Sequence, residues 1–119
     1  MSTTPTLFDL FEGDAPAIVE PPRAKGTPRA RAEEWFAANP RVFALLESLA
    51  LEEARYGAFG MKYLFEVLRF KVRRTWAKDA EGFKLNNDYT ATAGRMLIAK
   101  HPHLAQLIEL RKCREEETA

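Results

Sequence analysis

Between Met61 and Trp76, the residues Met61, Leu64, Phe65, Leu68, Val72 and Trp76 recur at steps of three and four. That is the period of an α-helix with one side turned to a core, because side chains so spaced stack on a single face. Tyr63, Val67 and Phe70 form a second apolar stripe, and a narrow polar strip of Lys62, Glu66, Arg69 and Arg73 lies between the two. A helix apolar on two sides reads as a central helix with one exposed edge, and it demands other helices around it. A chain of 119 residues, 46% of them hydrophobic, supplies one small core and excludes a multi-domain enzyme.

The flanking segments supply those neighbours. Thr27-Pro28 sets an N-cap before proline at the first helical position, and Asn39-Pro40 repeats the device. After it, Val42, Leu45, Leu46, Leu49, Ala50 and Tyr56 give an amphipathic helix that Gly57 and Gly60 end. Trp76 and Phe83-Lys84-Leu85 are expected to pair as a short hairpin around the loop that holds Asp79 and Gly82. Asn86, Asn87 or Asp88 then caps a helix to about Lys100, with Tyr89, Ala93, Met96 and Leu97 inward. Pro102 starts a last helix with Leu104, Leu107 and Ile108 apolar. The first part of the chain differs: Pro5, Pro16, Pro21, Pro22 and Pro28 stand among Thr, Ala and charged residues, which suits an extended arm. That arm is acidic at first (Asp9, Glu12, Asp14, Glu20) and basic later (Arg23, Lys25, Arg29, Arg31). The expected architecture is mainly α. It is a small helical bundle, helix-turn-helix or winged-helix-like, with a disordered N-terminal arm over 1–26, a helical domain over 27–114 and a frayed acidic end over 115–119.

Several function classes find no residues to carry them. Cys113 is the single cysteine, so there is no disulfide framework and no CxxC metal site. His101, His103 and Cys113 are three soft ligands where a structural zinc normally takes four. The run Gly57-Ala58-Phe59-Gly60-Met61-Lys62 lacks both the longer glycine pattern and the preceding strand of a phosphate loop. Asp79 and Glu81 have nothing to place them as a paired acid and base, and no Cys/His pair stands near an orienting carboxylate. No run approaches a membrane span and no secretory signal is visible. These features predict a non-enzymatic, cytoplasmic protein without metal or cofactor.

Charge is informative where composition is not. The formal net charge is only +1, yet the cations are segregated along the chain. Lys62, Arg69 and Arg73 share a helical face, Lys71 and Arg74 flank it, and Lys84 follows in the loop. Cations interleaved with Tyr63, Phe70 and Trp76 suit phosphate contacts, although Glu66 paired with Lys62 or Arg69 would make an ordinary solvated face. Asn86 and Asn87, at the start of the next helix, are of a type that bonds phosphates or base edges, or that simply makes a turn and cap. On the helix they open, Thr92 and Arg95 would face a groove of double-stranded DNA. The segment Arg23–Arg31 would lie over an adjacent minor groove.

In the arm, Leu7-Phe8-Asp9-Leu10-Phe11 is an apolar cluster. It resembles the short motifs by which bacterial replication and repair proteins dock into the sliding clamp, with Leu7 where a glutamine usually leads. Leu7, Phe8, Leu10 and Phe11 are therefore candidates for docking to a partner such as a host protein.

The runs Trp35-Phe36, Asn39-Pro40-Arg41-Val42-Phe43, Met61 through Phe70 and Phe83-Lys84-Leu85-Asn86-Asn87 resemble a family of small uncharacterised proteins from bacteriophages and prophages. The resemblance spans roughly residues 33–111. It implies a helix-turn-helix or winged-helix module in a phage or mobile-element setting, with no activity to carry over. Two expectations follow: a DNA-binding, possibly regulatory phage protein, or a phage accessory protein that binds and modulates a host protein through the N-terminal motif.

Overall fold

The computed structural model describes residues 18–21, 26–76 and 85–109. Over these the chain is mainly helical, in the order α1 (Pro28–Ala38), α2 (Pro40–Glu53), β1 (Phe59–Gly60), α3 (Met61–Thr75), a 3-10 turn (Asn87–Tyr89), α4 (Thr90–Lys100), a second 3-10 turn (Pro102–Gln106) and β2 (Ile108–Glu109).

The start of α1 follows its local chemistry. The Thr27 hydroxyl accepts the Ala30 N–H at 3.1 Å, and Pro28 occupies a first-turn position where no N–H is needed. Pro40 opens α2 in the same way, but the Asn39 side chain makes no capping bond. Beyond Glu53 the chain turns through Ala54–Tyr56 to Gly57, whose φ of 132° belongs to the region that glycine alone enters without strain. Arg73 and Arg74 in the last turn of α3 complement the negative end of its dipole.

All of the first apolar stripe on α3 is buried, together with Trp76, and Leu64, Phe65 and Leu68 are fully enclosed. Val42, Leu45, Leu46 and Leu49 of α2 and Ala93 and Leu97 of α4 close on it, with α2 and α4 both packed against α3. α1 adds Trp35 and Phe36; the Phe36 ring meets Phe43 edge-on at 5.7 Å and Tyr89 at 6.2 Å.

The structure corrects the sequence reading in four places. The second stripe of α3 is only partly covered: Val67 is half-buried against the core, but Tyr63 is 51% and Phe70 56% exposed. Tyr56, expected inward, lies past the end of α2 and is 78% exposed. The helix from Pro102 is a five-residue 3-10 helix, not an α-helix, and it leads into β2. The strand pair among the described residues, which the sequence reading did not place, is parallel, Phe59 opposite Ile108 and Gly60 opposite Glu109. The expected hairpin falls on residues 77–84, and the apolar motif, Cys113 and the acidic end fall on 1–17 and 110–119; all lie outside the described residues.

Residues 18–20 of the arm also contact the domain. Ile18 packs against the core, and Val19 and Glu20 bond to α1 and to the residue that follows it. Part of the arm therefore belongs to the folded unit.

Candidate nucleic-acid interface

The exposed side of α3 collects most of the predicted phosphate contacts. Lys62, Arg73 and Arg74 are exposed, Lys71 is half-buried, and Glu66 is the one carboxylate on the helix. The exposed rings of Tyr63 and Phe70 lie among these charges, seven residues apart and so on the same side two turns along. The Arg74 guanidinium carbon is 5.3 Å from the Phe70 ring centroid, a cation–π pair on the open surface. The Tyr63 hydroxyl donates to Glu53 Oε1 at 3.3 Å. The Glu53 charge, then partial desolvation, then that hydrogen bond push the Tyr63 phenol above its ordinary value.

Arg69 does a different job. Its Nη2 donates to the Leu85 carbonyl and, at 2.6 Å, to Asn87 Oδ1. The guanidinium thus ties α3, through Nη2, to the segment that enters α4. Asn86 accepts the Asp88 N–H at 2.9 Å and caps the 3-10 turn. Both asparagines therefore serve the local fold, as turn and cap residues do. Thr92 is only 5% exposed and cannot reach a groove. Arg95 is half-buried and already engaged within the molecule. The recognition-helix reading of α4 is thus corrected: Thr92, Ala93 and Gly94 spend its small-residue face on packing. Lys84, Arg23, Lys25, Leu7, Phe8, Leu10 and Phe11 lie outside the described residues. In the basic segment, Arg29 pairs with Glu33 at 3.1 Å, and Arg31 is exposed.

Sequence reasoning had no cause to place Arg41 of α2 here. Its guanidinium lies 5.5 Å from the Trp76 ring centroid, adding a cation beside the C-terminal end of α3.

Away from this face, an open groove of about 400 Å³ runs between α1, α2 and α4, lined by Phe36, Pro40, Phe43, Ala44 and Met96 among others. Near it Glu47 receives His101 Nε2 at 2.9 Å and Lys100 Nζ at 3.6 Å, joining α2 to the end of α4. No group of three metal-ligating side chains occurs among the described residues, and none of their helices is long and apolar enough to cross a membrane.

Comparison with family models, with curated proteins and with solved structures finds no match to this chain. The likeness to phage proteins rests on the residue runs quoted above alone.

Proposed function

We propose that this domain binds DNA through the exposed side of α3. The observation that carries the reading is the density of cations on that helix: Lys62, Lys71, Arg73 and Arg74 against the carboxylates of Glu66 on it and of Glu53 beside Tyr63, with Arg69 turned to an internal task. A helix needs one or two cations at its C-terminus to balance its dipole. It does not need a further lysine in its first turn or two rings left in water between them. Phosphates take up such cations, and release of their counterions drives binding without regard to sequence. The setting that goes with this reading is the one the resemblance implies, a phage or prophage protein acting in its host's cytoplasm.

The test is fluorescence anisotropy of labelled DNA against the full chain and Arg73→Ala/Arg74→Ala, across a series of salt concentrations. Two lost phosphate contacts should weaken binding to every sequence and flatten the log–log salt slope by about 1.8 for duplex, roughly 0.9 per contact. Equal affinity and slope in a folded double variant would remove α3 as the binding face. A chain that retains no DNA at low salt would remove the reading itself.

A further inference from the structure

We infer that the DNA this face takes is single-stranded, an inference that rests on the nucleic-acid reading and gives it a substrate class. Two observations point the same way. The first is what α4 lacks. A duplex is read by an element that enters a groove, and Thr92, Ala93 and Gly94, the small residues that would permit a close approach, are buried against the core.

The second is what α3 presents. Tyr63 and Phe70 are each more than half exposed on one side of the helix, about 10.5 Å apart along its axis at 1.5 Å per residue. Aromatic rings left in water beside cations are the stacking platforms of single-strand binders: each base offers a π-face, and the charges follow the backbone. In a duplex those faces are already stacked on one another, so exposed rings gain nothing there without unpairing. The charges suit the rings. Lys62 precedes Tyr63, and Arg73 and Arg74 follow Phe70, so phosphates on either side of two stacked bases would meet a cation. Arg74 already lies against the Phe70 ring, and a guanidinium plane so placed can itself take a base.

The experiment compares one labelled mixed-sequence oligonucleotide, single-stranded and annealed to its complement, bound to the full chain at fixed salt. The single strand should bind at least tenfold more tightly. Tyr63→Leu and Phe70→Leu, which keep apolar bulk at solvent-exposed positions and remove the ring, should each weaken single-strand binding roughly fivefold or more and leave duplex binding unchanged. Tyr63→Phe and Phe70→Tyr should restore it. Arg73→Ala/Arg74→Ala should weaken both forms. Duplex affinity equal to or above that of the single strand, or leucine variants that bind the single strand as well as the parent, would overturn the inference while leaving DNA binding by α3 intact. Binding of neither form would overturn the functional reading with it.

Discussion

The carboxamide of Asn39 holds the backbone of Val19 by both of its polar groups: Oδ1 accepts the Val19 N–H and Nδ2 donates to the Val19 carbonyl, each at 2.7 Å. The second Nδ2 hydrogen goes to the Trp35 carbonyl at 2.9 Å. One buried side chain thus pairs with an extended residue twenty positions earlier as a neighbouring strand would, and fastens it to the end of α1. Asn39→Ala strips both Val19 backbone groups of their partner and removes one of two bonds to the Trp35 carbonyl, and should cost about 2–4 kcal/mol in urea unfolding. Asn39→Asp keeps the acceptor, loses both donors and should also destabilise. A loss below about 0.5 kcal/mol for both variants would show that the Val19 segment is no part of the cooperative unit.

Arg69 invites the same distinction between fold and function. Because it serves the Leu85 carbonyl and Asn87, Arg69→Ala should lower stability by about 1–3 kcal/mol. The DNA salt slope of the variant that remains folded should not change. Arg69→Lys should rescue little, since the shorter lysine side chain ends short of the Nη2 position that makes both bonds. A changed salt slope at unchanged melting temperature would make Arg69 a phosphate contact instead.

Glu66 stands exposed on the cationic side of α3, where it repels phosphate. Glu66→Gln should tighten DNA binding by roughly two- to fivefold at low ionic strength, the scale of one solvent-exposed charge interaction. The gain should shrink as salt rises. Anisotropy titrations at two salt concentrations decide the matter, and a weaker variant would mean that Glu66 orders a neighbouring cation rather than opposing the ligand.

Tyr63 gives a spectroscopic handle on the same face. Its phenol is held above the ordinary tyrosine range, first because of the Glu53 charge, so the folded state favours the neutral ring. The stabilisation linked to this shift is present below the unfolded value and is lost as pH rises through the folded one. Glu53→Gln should bring the transition back down toward the ordinary range in a tyrosinate absorbance titration, with Tyr63→Phe identifying the signal among the three tyrosines. An unmoved transition would show that Glu53 does not govern it.

What could be read in the sequence was whatever short-range chemistry decides. The Met61–Val72 stripe announced its burial through period alone, and Thr27-Pro28 announced its helix start. The second stripe failed because periodicity reports where apolar residues fall and is silent about whether another element arrives to cover them; α2 and α4 both pack on α3, and Tyr63 and Phe70 stay in water. Asn39 failed for the opposite reason. It occupies an N-cap position and so reads as a cap, but the partner that claims it is Val19, twenty residues away, and no local pattern carries that. At the candidate interface the cations were legible. Which of them the fold had already engaged was not, because Arg69 and Arg73 look alike until Asn87 is seen beside one of them. Thr92 reads as outward beside Arg95, small enough to permit close approach to a groove, and the same small size lets the core enclose it.

The parallel pair β1–β2 has a consequence for how the chain reaches this arrangement. Phe59 pairs with Ile108, and the Phe59 N–H donates to the Leu107 carbonyl at 2.9 Å, so a contact between residues 49 positions apart is held by two residues on each side. The entropy of closing that loop is lost before the pairing returns much, whereas α2 and α3, neighbours in the chain, meet early. The strand pair should therefore form after the folding barrier and open before it on the way out. Ile108→Ala, which empties a buried site, should then accelerate unfolding in stopped-flow measurements and leave the refolding rate almost untouched. The two-residue clasp should then set how long the native state lasts, not how quickly it is found.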